Sequence, residues 1–203
     1  GLVQGQIPHV VVSAVEHPAL LEPCYFLERS GVMRLTVVGV DSVGRIKTQD
    51  VVDAVTENTA LVAVMRANNE TGNLYNTAEI AAAVRAKRPE TLMLVDAVQA
   101  AGKIEVTLEN TGADLLALSG HKVYGPMGVG ALLIAHNSLH VTPWLMGGPQ
   151  ENGRRGGTEN VPAIVGFGAA CALPHQTEDI EALTMQLRDG IAASVSGAHF
   201  NGG

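Results

Sequence analysis

Four stretches of the chain close an apolar run with side chains able to do chemistry. "SAVEHPA" supplies Glu16 and His17, "VMRANNETG" supplies Asn68, Asn69 and Glu70, "LVDAVQAAGK" supplies Asp96 and Gln99, and "ALSGHKVYG" supplies Ser119, His121 and Lys122. An imidazole, an amide, a carboxylate and an amine are thus offered at four successive run ends. Lys122, in a glycine turn after an apolar run, is either an amine held in a partly desolvated pocket and able to attack a carbonyl, or a surface lysine. Asp96 can accept a hydrogen bond from a protonated ring nitrogen, bind a metal, or cap a helix expected near Val98. Asn69 and Gln99 can each direct an amide at a ring oxygen, although Asn in "NNETG" also fits ordinary turn chemistry. His17 precedes Pro18, a residue suited to the first position of a helix, so its ring stands at a helix start. It either stacks on a planar cofactor or serves as a capping or core histidine.

The elements that must carry these residues alternate. "HVVVSAV", "RLTVVGV", "LVAVMRAN" and "LMLVDAV" read as strands, and "LLEPCYFLERSG", "TQDVVDAVTEN" and "NTAEIAAAVRAKR" read as helices. This alternation predicts an α/β fold of three layers, α/β/α, with a mostly parallel sheet. "DLLALSG" and "VGALLIA" lie too close together for a helical crossover, so that pair is expected to be antiparallel and the sheet mixed. In open α/β sheets ligands sit beyond the carboxyl ends of the strands, where the four polar stretches fall. "EDIEALTMQLRDGIAASV" carries apolar residues at helical spacing and predicts a long surface helix.

Composition narrows the function classes. The chain has 203 residues, 46% of them hydrophobic, which suffices for one packed domain or one domain and part of another. A formal net charge of -7 and the lack of a long basic run argue against nucleic acid or anionic membrane as the main partner. No apolar run reaches a bilayer span. Cys24 and Cys171 are too few and too far apart for a disulfide framework or a zinc site, so a reducing, cytoplasmic compartment is expected and both read as buried packing residues. His136 and His140 stand at helical i, i+4 spacing in "HNSLH" without the glutamate of a zinc protease, and no metal is expected. "AAGK" and "GPMGVG" match neither a P-loop nor a dinucleotide fingerprint. "GGPQENGRRGGTENVP" combines glycines, two arginines and a helix start, and reads as an anion site or a solvated loop. The chain starts at Gly1 and stops at "HFNGG", ends that read as cuts in a longer protein.

Together "EHPALLEPCYFLE", "ANNETGNLY", "DAVQAAGK", "SGHKVYGPMGVGAL" and "RRGGTENVPAIVGFG" resemble, in order and spacing, the NifS/IscS family of cysteine desulfurases. These are pyridoxal-phosphate enzymes of the class V aminotransferase group with a fold-type-I large domain. The resemblance implies that Lys122 forms the Schiff base with pyridoxal 5'-phosphate, that Ser119 and His121 hold its phosphate, and that His17 stacks on its ring and carries protons. It further implies that Asp96 keeps the ring nitrogen protonated, that Gln99 and Asn69 contact the phenolic oxygen, and that Thr158 reaches the phosphate in the partner's site. The active unit is then a homodimer. Its substrate is L-cysteine, its products are L-alanine and an enzyme persulfide, and its sulfur acceptor is a protein such as an iron–sulfur scaffold.

The resemblance also implies what lies elsewhere. Residues 1–175 correspond to the central part of the cofactor-binding large domain, and 176–203 to a helix leading toward a C-terminal small domain. That small domain would carry the nucleophilic cysteine, which neither Cys24 nor Cys171 matches, and the arginine for the substrate carboxylate. Met127 stands where the family often has lysine, and Pro149 interrupts a usual glycine run. Selenocysteine lyases share the framework. A related class V enzyme acting on another amino acid, and a non-catalytic remnant without cofactor, are the other readings.

Overall fold

In the computed structural model residues 7–136, 139–173 and 177–202 are described. The elements run β1 (His9–Ser13), α1 (Pro18–Arg29), β2 (Arg34–Val38), α2 (Thr48–Ala54), β3 (Thr59–Ala63), α3 (Thr77–Lys87), β4 (Leu92–Asp96) and α4 (Leu108–Thr111). They continue with β5 (Leu115–Ser119), a 3-10 turn (Gly120–Val123), β6 (Gly130–Ile134), α5 (Gln150–Gly153), α6 (Val161–Cys171) and α7 (Thr177–Ser194). The sheet has the order β2-β1-β3-β4-β5-β6. Its pairs are parallel from β2 through β5, and β5 runs antiparallel to β6. Both expectations, the mostly parallel sheet and its one antiparallel pair, hold.

The pleat of β1 distributes the layers. Val10 and Val12 face α1, where Leu20, Leu21, Cys24 and Leu27 cover them. Val11 points the other way, into a larger cluster with Val51 of α2, Ile80 and Val84 of α3, and Met93 and Val95 of β4. Alternate residues of one strand therefore enter two cores, as a sheet covered on both faces requires. Each fully buried aliphatic side chain contributes roughly 1.5–3 kcal/mol. Asp114, just before β5, accepts the Met93 N–H at 2.7 Å and pairs with Arg85 of α3 at 2.8 Å, which joins the helix layer to the sheet.

Two expectations change. No α-helix begins near Val98, because the chain after Asp96 makes successive turns and only Ile104 and Ala101 close four-residue backbone bonds there. Helix α7 forms as predicted, but Ile180, Leu183, Met185 and Leu187 are all more than half exposed, so its apolar face is not covered by the described residues. The expected domain boundary between 175 and 176 lies outside the described residues. No helix among the described residues is long and apolar enough to cross a membrane.

His9 is buried at the start of β1, and its ring meets the Thr59 hydroxyl at 2.8 Å and the Thr36 hydroxyl at 2.9 Å. Burial first, then the charge of Arg34, lowers its pKa below the ordinary 6.5. The unfolded chain then takes up a proton at a pH where the folded chain does not. Stability is full above about 6.5, declines as pH falls below it, and levels off once the folded ring is protonated too. Urea denaturation across this range should show that decline, and His9→Gln should remove this component of the slope.

Candidate active site at the carboxyl ends of the strands

Parallel pairing brings the polar stretches to one edge. Val12 pairs with Ala63, Ala63 with Leu94 and Leu94 with Leu115, so the chain leaves β1, β3, β4 and β5 on the same side of the sheet. Backbone bonds extend the alignment past the strands: Arg66 N–H donates to the Asp96 carbonyl at 2.8 Å, and Ala97 N–H to the Ala117 carbonyl at 3.0 Å. Glu16 and His17, Asn68 to Glu70, Asp96 to Gln99, and Ser119 to Lys122 thereby occupy neighbouring strand exits.

The turn after β5 is tightly built. Gly120 donates to the Val129 carbonyl at 2.9 Å, and its own carbonyl accepts the N–H of Gly125 at 2.9 Å and that of Tyr124. Tyr124 adopts φ 64, a left-handed conformation that costs a non-glycine residue on the order of 1 kcal/mol. A Cβ at Gly120 would come within 2.8 Å of Val129 Cγ1 and 3.1 Å of the Pro126 carbonyl oxygen. Behind the turn, Val123 packs with Phe167 and Ala170 of α6. This turn projects Lys122 and His121 outward and sets Ser119 Oγ 3.0 Å from His121 Nδ1. Lys122 is exposed, so the expected desolvation of its amine is not supplied by this chain's own side chains. Lys103 lies close enough that the Lys122 charge, after burial, lowers the Lys103 pKa, and Lys103 Nζ donates to the Gln99 carbonyl at 3.1 Å.

At the other exits the capping bonds form. His17 is the N-cap of α1: its Nδ1 accepts the Ala19 N–H at 3.1 Å while the ring stays exposed. The capping bond places the proton of the neutral ring on Nε2, leaving that atom for a ligand. Asp96 Oδ1 caps the following turn by accepting Val98 N–H at 2.9 Å, and no described residue bonds Oδ2. Capping therefore takes one of its two oxygens and leaves the other open. Asn68 is buried and anchors its loop, accepting from Glu70 N, Thr71 N and Thr71 Oγ1 and donating to the Val15 carbonyl at 3.2 Å. Asn69 is thereby left exposed beside the site, and Gln99 is half-buried.

Thr158 lies exposed between α5 and α6, and the bonds that gather the strand exits do not involve it. The expected anion loop folds back on itself: Arg155 Nη1 donates to the Gly157 carbonyl at 3.2 Å, and Gln150 Oε1 accepts Gly157 N–H at 3.1 Å. The "TENVP" helix start does form, with Asn160 capping α6. Neither His136 nor His140 falls in a helix, and the described residues hold no group of three or more metal-ligating side chains. Sequence reasoning placed Glu16 at this edge but missed its burial, for which only Met65, distant in sequence, supplies the reason.

The model of the aminotransferase class-V family matches residues 4–196. The chain belongs to that family. A cysteine desulfurase of Enterobacter agglomerans is 44% identical over 180 residues, covering 89% of this chain and 44% of that protein. Among solved structures, a NifS-like protein superposes with a TM-score of 0.83 at 35% identity, covering 97% of this chain and 54% of the other. "SspA in complex with cysteine" superposes with a TM-score of 0.78 at 34% identity, covering 88% and 52%. The chain spans about half the length of the curated relatives it matches. Its fold is that of the large domain of fold-type-I pyridoxal-phosphate enzymes.

Class V aminotransferases are pyridoxal-phosphate dependent, and the site fits that group. An uncommitted Asp96 oxygen, a Ser119–His121 donor pair, an exposed imidazole and an exposed amine line one edge, which is the donor set a ring nitrogen, a phosphate, a ring face and an aldehyde require. If the Gly120 turn presents this set, Gly120→Ala should destabilise the fold by about 1–3 kcal/mol. Gly168→Ala in α6, where a Cβ meets nothing within 4 Å, should be neutral or stabilising in the same thermal melts.

Proposed function

We propose that this chain is the cofactor-binding part of a cysteine desulfurase, which takes sulfur from L-cysteine, releases L-alanine and passes the sulfur on as an enzyme persulfide toward iron–sulfur cluster or related cofactor assembly. The observation that carries this reading is the delivery of Lys122, Asp96 and His17 to the same edge of one sheet by its parallel strands β1, β3, β4 and β5. The cysteine-bound SspA structure and the desulfurase relative support the substrate. Cys24 is half-buried in the α1 packing but Cys171, expected to be buried, is exposed; both are free, which suits a reducing, cytoplasmic setting.

Pyridoxal phosphate supplies, when bound, an aldehyde for amines and a ring that accepts the electron pair left when a substrate proton departs. The residues divide the remaining work. Lys122 Nζ holds the aldehyde, and Ser119 and His121 hold the phosphate. Asp96 Oδ2 keeps the proton on the ring nitrogen through a charge-assisted hydrogen bond. Asn69 and Gln99 orient the ring through its phenolic oxygen. His17 covers the ring face and moves a proton at Nε2, its Nδ1 being occupied by the helix cap. The attacking thiol comes from elsewhere in the protein. Cys24 is a poor candidate because burial, then the nearby Glu16, raises its pKa.

A homodimer completes the site. Tyr124, Met127, Trp144 and Met146 are each at least 80% exposed, and Val161 and Val165 are more than half exposed, apolar side chains of the kind that a second copy would cover. Thr158 belongs to the same stretch, from which it serves the phosphate of the second copy. Replacing both Trp144 and Met146 with Glu should shift the complete protein from dimer to monomer in sedimentation.

Assayed with its flanking coding sequence, the protein should release alanine and sulfide from L-cysteine under reducing conditions. Lys122→Ala should lower that rate by about 1,000-fold or more, whereas Cys24→Ala and Cys171→Ala should leave it within about twofold. Alanine release that survives Lys122→Ala, or that requires Cys171, contradicts the assignment.

A further inference from the structure

Glu16 precedes the capping histidine, yet it is only 4% exposed. Its Oε1 accepts two hydrogen bonds, from Ser13 Oγ at 2.5 Å and from the Met65 N–H at 2.7 Å. Ser13 closes β1 and Met65 follows β3, so one carboxyl oxygen ties the β1–α1 turn to the exit of the neighbouring strand. Its Oε2 is buried and has no partner among the described residues. Burying an ionised carboxylate with one oxygen unpaired is costly, and a neutral acid avoids that cost.

Three ionisable groups lie within its electrostatic reach: Asp96 from β4, whose charge acts on it, and Cys24 from α1 and Tyr75 from the segment after β3, on which its own charge acts. None of these three is a cation. His17, the next residue, turns its ring outward, and Arg66 commits Nη1 to the Tyr75 carbonyl. Burial, opposed by the bonds from Ser13 and Met65 and reinforced by Asp96, pushes the Glu16 pKa up to about 7.

We propose that Glu16 is the positioning residue for His17 and the pH-responsive element of the site. Its Oε1 pins the turn to β3 in either state, and on ionising it places a second negative charge near Asp96 and strengthens the bonds from Ser13 and Met65. The inference rests on the reading of this edge as a cofactor site. It adds to that reading a group that touches neither ring nor phosphate and acts through His17 and Asp96.

The test uses the complete protein, without added cofactor, carrying carboxyl-13C glutamate and 15N. Across pH about 5.5 to about 8.5, one carboxyl carbon, that of Glu16, should titrate near 7. The Met65 amide should move with the same midpoint, and both transitions should vanish in Glu16→Gln. Glutamine keeps an acceptor for Ser13 and Met65, so this variant should bind pyridoxal phosphate with an affinity that no longer changes between pH about 6 and about 8. Glu16→Ala should lose roughly tenfold at every pH. A Glu16 carbon that shows no transition in this range, or a Met65 amide that ignores it, overturns the inference, and both readings need only wild-type protein and the glutamine variant. Joint titration in a protein that shows no saturable binding of pyridoxal phosphate supports the pin and removes the cofactor reading alone.

Discussion

Parallel pairing of β1, β3, β4 and β5 is the constraint on which the site depends. Parallel strands connected through helices must all leave the sheet at the same edge, and every polar residue just past a strand is delivered there whatever its distance in sequence. His17 and Lys122, more than a hundred residues apart, need no direct contact to share a site, because the register Val12 to Ala63 to Leu94 to Leu115 already sets their exits in line. The valine pairs that hold this register enter opposite cores, so the geometry of the edge is backed by packing on both faces.

The exits themselves are held by short-range bonds that leave one polar atom over. His17 caps with Nδ1 and keeps Nε2. Asp96 caps with Oδ1 and keeps Oδ2. Asn68 takes on the loop bonding so that Asn69 does not have to. At β5 the same end is reached by backbone compression, with Gly120 packed against Val129 and Tyr124 in a left-handed turn. Backbone held this way needs less ordering when a ligand binds, which lowers that part of the cost of binding.

Much of this was legible in the sequence because it depends on order and period. Alternating β-branched runs and helical patterns give the layers, and the short span between "DLLALSG" and "VGALLIA" admits only an antiparallel return. The residues at strand exits follow from that reading alone. Their roles needed the family likeness, since a carboxylate after a strand caps turns as readily as it holds a ring nitrogen. Illegible were features set by contacts distant in sequence: the partner of Glu16 at Met65, the threonine pair around His9, and the self-closure of the arginine loop. The helix expected near Val98 failed because Asp96 nucleates a turn there without an extended run of helical bonds to follow. The exposure of Lys122 and of Trp144 is likewise invisible in the order of residues.

The central claim is that Lys122 presents its amine to pyridoxal phosphate at this edge, and covalent trapping tests it most directly. The protein is mixed with pyridoxal phosphate, reduced with borohydride and digested, and the modified peptide is located by mass. A single pyridoxyl group on Lys122, lost together with the visible absorbance in Lys122→Ala, is the expected result. Label on Lys103 instead, or scattered over the surface lysines with Lys122 unmodified, contradicts the account.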